Sequence, residues 1–142
     1  MSRPRQPASR FEMTLEDYRL LADFRHLLRQ FFVFSEQGAK AAGLTAQQHR
    51  ALLVIKGFDG QPSVGDLADR LVIRHNSAVG LVDRLVQAGF VTRNADSADR
   101  RRMTLALTAR GEKNLLAISG ANRQELRRLA PLLTALVARL ER

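Results

Sequence analysis

The sequence contains no cysteine, which removes disulfides, thiolate zinc sites, cysteine nucleophiles and thiol-based redox sensing together. Long apolar runs are missing too. The longest aliphatic stretch is Ala51 to Ile55, far short of a membrane span, so no membrane partner is expected. The N-terminal MSRPRQPASR is basic, holds two prolines and is followed by no apolar stretch, unlike a secretory signal. A cytoplasmic protein is therefore expected. Catalytic parts are equally scarce. There is no Gly-rich phosphate loop, no pair of carboxylates in an apolar setting and no nucleophile–base pair, and His26, His49 and His75 are too scattered for metal-ligand spacing. Neither an enzyme nor a cofactor or metal is expected. No internal repeat or low-complexity segment is found.

What is present is enough apolar material for one globular domain: 45% of 142 residues. The net charge is +9, and apart from Lys40, Lys56 and Lys113 the cations are all arginine. Arginine's planar fork suits phosphates and base edges better than lysine's point charge does. A basic balance is only a hint of nucleic-acid binding, so the placement of the charges has to decide.

Residues 1–11 hold three arginines and no acid, and read as a flexible basic tail or an arm touching phosphates. Thr14 with Asp17 three residues later can cap a long helix. Leu20, Phe24, Leu27, Phe31 and Phe34 recur on it at steps of four and three, widened by Leu21, Leu28 and Phe32. So broad an apolar face points to packing against a partner subunit as well as the chain's own core. Gly43 stops this helix, and Thr45-Ala46-Gln47-Gln48 caps the next, whose inward residues are Ala51, Leu52 and Ile55. Gly57 and Gly60-Gln61-Pro62 read as loop. Ser63 and Asp66 then repeat the capping device for a short helix bearing Val64, Leu67, Ala68 and Leu71. After a tight turn, a fourth helix is expected from about Asn76 to Ala88, with Ala78, Leu81, Val82 and Leu85 inward and Gly89 as a left-handed C-cap.

The period then changes. Phe90-Val91-Thr92 reads as a short strand, and Met103, Leu105 and Leu107 alternate with Arg102, Thr104 and Ala106 as a half-buried one. The polar, basic segment 93–101 between them makes a hairpin wing. Thr108 caps a fifth helix to about Leu129, and Pro131 fits the first position of a sixth. The fold class is mainly α with a small β-hairpin wing: a winged helix-turn-helix.

Two short helices meeting at a small residue, Ala68, and joined by a tight turn describe a helix-turn-helix, whose second helix lies in the major groove with its N-terminal residues at base edges. That helix offers His75, Asn76, Ser77, Val79, Gly80, Asp83, Arg84 and Gln87 away from the core; Asn76 could read adenine, and Arg74, just before it, or Arg84 could reach guanine or phosphate. The bland alternative is a solvated polar face. Arg100, Arg101 and Arg102 stand in a row beside the wing turn. A solvated run paired with Asp96 and Asp99 would contribute about 1 kcal/mol at most, so minor-groove contact is the better account of three adjacent cations.

Leu67-Ala68-x-x-Leu71-x-Ile73, then Asp83-Arg84-Leu85-x-x-x-Gly89-x-Val91-x-Arg93, then Asp99-x-Arg101 followed by Leu107-Thr108, resemble the multiple-antibiotic-resistance regulator (MarR) family over nearly the whole chain. The wing signature is the most specific part of the resemblance. It implies a homodimer joined through long N- and C-terminal helices, usually a repressor, on a near-palindromic double-stranded site. Carried over, 12–142 is a single domain with dimerisation helices at 14–42 and 108–142 and a DNA-binding lobe at 45–107. Arg101 matches the minor-groove arginine, Asp99 the acid that orients it, and Asp83 an acid paired with a wing cation, Arg93 or Arg101. Ser77 and Arg84 match positions that approach DNA. The chain departs from many members at Arg74, where they have Ser, Thr or Asp as N-cap, and at Val79-Gly80, so base preference cannot be borrowed.

The resemblance further implies a small aromatic or anionic effector that releases DNA. Phe31, Phe32 and Phe34 with His49, and Arg25 or His26 nearby, could line its pocket; the alternative is that these phenylalanines are core or dimer seam. A second reading of the whole chain is an architectural or effector-independent winged-helix protein.

Overall fold

The computed structural model describes residues 12–142; the tail 1–11 lies outside the described residues. The elements run α1 (Leu15–Ala41), α2 (Ala46–Gly57), α3 (Val64–Leu71), α4 (His75–Gln87), β1 (Val91–Ala95), β2 (Met103–Leu107) and α5 (Ala109–Leu140). The three capping boxes expected from sequence are present: Thr14 with Asp17, Thr45 with Gln48, and Ser63 with Asp66, each exchanging two hydrogen bonds of 2.8–3.1 Å. They satisfy orphan amide groups at the helix starts and so fix where α1, α2 and α3 begin. Gly89 has φ +79° just beyond α4, which lets the chain turn straight from that helix into β1.

The main core gathers Leu52, Leu67, Leu81, Val82, Leu85, Phe90, Val91 and Leu105, closed from one side by Ala39, Leu44, Leu115 and Ile118 of the long helices and the loop after α1. A separate small cluster of Leu20, Leu27, Leu129 and Leu136 joins the far halves of α1 and α5. β1 and β2 pair antiparallel, with Val91 opposite Leu107 and Ala95 opposite Met103.

Several expectations need correction. Helix α5 is continuous to Leu140, with Pro131 inside it rather than opening a sixth helix. Proline denies one amide to the carbonyl four residues back, but both Pro131 and Arg127 are exposed, where water can serve that carbonyl. Burial of Leu129 and Leu136 on either side holds the segment helical. Gly57 is the last residue of α2, not loop. Phe24 and Phe34 are exposed, while Leu20 and Leu27 are buried. The alternation in β2 also breaks: Met103 is exposed and Thr104 buried, because the Thr104 hydroxyl donates to Gln61 Oε1 at 2.9 Å.

Two features have no counterpart in the sequence patterns. Val72, in the turn between α3 and α4, takes the left-handed conformation at φ 56° and is 89% exposed. A β-branched residue there is strained. Gly111 packs so closely on the chain before the wing that a Cβ would stand 2.2 Å from the Phe90 carbonyl oxygen.

Candidate nucleic-acid interface

Helix α4 has no side-chain cap, since Arg74 occupies the N-cap position and offers no acceptor for the first amide groups. Its opening turn is therefore left with unsatisfied N–H donors and the positive end of the helix dipole. Arg74, His75, Asn76 and Ser77 are all exposed around it, and Arg84 is exposed a few turns on. Gly80 is half-buried. The nearest atom to a Cβ built there is Arg84 Nη1 at 3.7 Å, so the missing side chain leaves room beside that guanidinium.

Behind this face, Asp83 on α4 accepts from Arg93 on β1, which ties the helix to the base of the hairpin. The two alternatives for Asp83's partner thus resolve to Arg93. The wing turn is shaped by its acids through the backbone. The amide of Ala98 donates to Asp96 Oδ1 at 2.9 Å, and that of Arg101 to Asp99 Oδ1 at 3.0 Å. Asp99 therefore positions Arg101 by its main chain, leaving the guanidinium unheld. Arg100 and Arg101 are exposed, and neither forms an ion pair among the described residues. Arg102 differs: its Nη2 donates to Asp66 Oδ2 on α3 at 2.7 Å.

The sequence grouped Phe31, Phe32 and Phe34 with His49, and Arg25 or His26 nearby. A cleft of about 230 Å³ between α1 and α2 does bring together Phe31, Phe32 and His49, joined by Arg29, Arg50 and Leu53. Phe34 is not among its lining residues and faces other surface clefts instead. At 3.6 residues per turn it lies about 200° round α1 from Phe32. Arg25 and His26 do not line the cleft either. The missed Arg29 could have been found from its spacing, since residues 29, 32 and 36 share one helical face. His49 is only 4% exposed and its Nε2 has no hydrogen-bond partner. Burial, and then the charge of Arg50, hold its imidazole below the ordinary value near 6.5, favouring the neutral form. Among the described residues no group of His, Asp and Glu is arranged to hold a metal, and no helix is long and apolar enough to cross a membrane.

Comparison with known proteins bears on this arrangement. Residues 42–102, which span α2 to the wing, match the model of the MarR family. Over these residues the chain is similar to the MarR family. It is 35% identical over 94 residues to the HTH-type transcriptional regulator FarR of Neisseria gonorrhoeae, covering 66% of this chain and 56% of that protein. The chain thus spans little more than half the length of the curated relatives it matches. Among solved structures, the multiple antibiotic-resistance repressor MarR of Listeria monocytogenes is 26% identical with a TM-score of 0.66, over 93% of this chain and 99% of that one. A MepR mutant of S. aureus bound to oligodeoxyribonucleotide has a TM-score of 0.65 at 20% identity, over 91% of this chain and 99% of that one, a likeness of fold. The curated relatives are transcriptional regulators rather than enzymes.

Proposed function

We propose that this protein is a homodimeric transcriptional repressor that binds a near-palindromic operator and is released by a small aromatic or anionic effector. The observation that carries the reading is the pairing of an uncapped, exposed α4 start with a wing locked to the same helix through Asp83 and Arg93, while Arg100 and Arg101 stay free. In this reading each subunit lays Arg74, His75, Asn76 and Ser77 at the major groove, with Arg84 at the flanking backbone, and inserts Arg101 into the adjacent minor groove. The dimer is supported by apolar side chains left exposed on the long helices: Leu15, Tyr18 and Leu21 on α1 and Leu126, Leu132 and Val137 on α5. The effector is supported by the cleft at Phe31 and His49. Its arginines would attract an anion, its phenylalanines would stack a ring, and the orphan Nε2 lacks a partner.

The test is binding of the full chain to an operator recovered by selection from random duplexes, against a random duplex, across a salt titration. The expected result is a large operator preference at physiological salt, with Arg101→Ala weakening both and lowering the salt slope by about one. Equal affinity for both duplexes, or an unchanged slope in the variant, would count against it.

A further inference from the structure

The three arginines of the wing do not share one environment. Arg100 and Arg101 project unpaired, but Arg102 is held at both backbone and side chain. Its carbonyl accepts from Asp96 N at 2.9 Å and its amide donates to Asp99 O at 3.0 Å, which closes the base of the wing turn. Its guanidinium reaches 36 residues back to Asp66 at 2.7 Å.

Asp66 is an unusual partner for a surface cation. It is half-buried, and the same Oδ2 already accepts the Ser63 amide at 2.9 Å in the α3 capping box. Its rotamer is therefore fixed before Arg102 arrives, and much of the entropy that normally cancels an exposed ion pair is already spent. The amide bonds of the capping box hold the carboxyl below its ordinary value, with Arg102 a smaller contributor, so the acid stays charged well below neutral pH.

This ion pair is also not isolated. The Leu105 amide donates to the Pro62 carbonyl at 2.8 Å, and the Thr104 hydroxyl to Gln61 Oε1 at 2.9 Å. Arg102, Thr104 and Leu105 thus form a seam along β2 and the residue just before it. The seam fastens the wing to residues 61–66, the approach and first turn of α3.

We infer that Arg102 is a positioning residue: through Asp66 it sets the pose of the wing relative to the helix-turn-helix, and Arg100 and Arg101 alone of the three touch the DNA. This rests on the DNA-binding reading above, and it withdraws Arg102 from the DNA-touching residues expected from sequence. The two roles leave different signatures. Substituting a cation that neutralises a phosphate lowers the salt slope, whereas removing a strut weakens the operator complex and leaves the number of released counterions the same.

The experiment compares wild type, Arg102→Ala, Asp66→Asn and the double variant, each on the selected operator across a salt titration, with thermal melts alongside. Asparagine keeps the capping oxygen, so α3 retains its start. The expected result is that each single variant binds the operator about fivefold more weakly. The double variant should be no weaker than either, the slope should match wild type, and the melting temperature should stay near that of wild type. A slope reduced by about one in Arg102→Ala, tighter binding by Asp66→Asn, additive losses or unchanged affinity would each overturn it. Hydrogen exchange on the free protein separates this from failure of the DNA reading. Faster exchange of the Arg102 and Leu105 amides in both single variants is expected whether or not DNA is bound specifically, and wild-type exchange would overturn the strut.

Discussion

The two ends of this molecule are finished to different degrees. Around α2, α3, α4 and the hairpin, large apolar side chains such as Leu52, Leu67, Leu81, Leu85 and Leu105 are almost wholly buried by the chain itself. At the far ends of α1 and α5 only Leu20, Leu27, Leu129 and Leu136 are buried, and Leu15, Leu21, Leu132 and Val137 stand in solvent. A single copy closes its helix-pair-and-hairpin portion and leaves its helical arms half-covered. In the proposed dimer, that contrast separates what the chain stabilises alone from what it would stabilise by pairing.

The sharpest way to break that division is at the joint between the two regions. Gly111→Ala drives a Cβ into the Phe90 carbonyl, where the first turn of α5 meets the strand that opens the wing. Neither partner is the movable end of a side chain, so urea denaturation should show a loss of about 3 kcal/mol despite alanine's better helix propensity. Wild-type stability in that variant would mean the joint is looser than its packing implies. Next comes the proposed pairing surface. Leu21→Glu places a charge on the exposed apolar face of α1, and sedimentation equilibrium should show self-association weakened by about 2 kcal/mol with helical content unchanged. Unaltered association would put the partner on another surface.

The smaller effects lie within the compact portion. Val72→Asn replaces a β-branched residue at φ 56° with one that tolerates the left-handed region, and should stabilise the fold by about 1 kcal/mol in thermal melts. A lower melting temperature would show that the valine side chain makes an interaction worth more than its strain. Last is His49. The unfolded chain takes up its proton below about pH 6.5, while the buried imidazole resists protonation until lower pH. The unfolded state thus binds more protons in that window, and stability should fall as pH drops through it. His49→Gln should remove up to about one proton from the slope between pH 7 and 5. An identical slope in the variant would mean that His49 protonates freely in the fold.

Much of this architecture was legible because local chemistry announces it. Thr14, Thr45 and Ser63, each with its partner three residues on, mark helix starts by a backbone requirement that any fold must meet. The apolar spacing of α3 and α4 and the switch to a strand period after Gly89 locate the helix pair and the wing. What stayed hidden depends on neighbours far along the chain. The burial of Thr104 follows from Gln61, and the hold on Arg102 from Asp66, neither of which a period-two pattern can reveal. The run Arg100-Arg101-Arg102 looks uniform in sequence and is divided only by what each residue can reach. Pro131 reads as a helix start by its own preference, and packing at Leu129 and Leu136 overrides it.

In the proposed complex two copies present two such helix-and-wing units to one duplex, an arrangement that hydroxyl-radical footprinting of the selected operator reads out. Two protected half-sites are expected with centres about 10 to 10.5 base pairs apart, or a multiple of that turn, each flanked by minor-groove protection that disappears in Arg101→Ala. A single protected half-site bound by one chain, with flanks indifferent to Arg101, would contradict it.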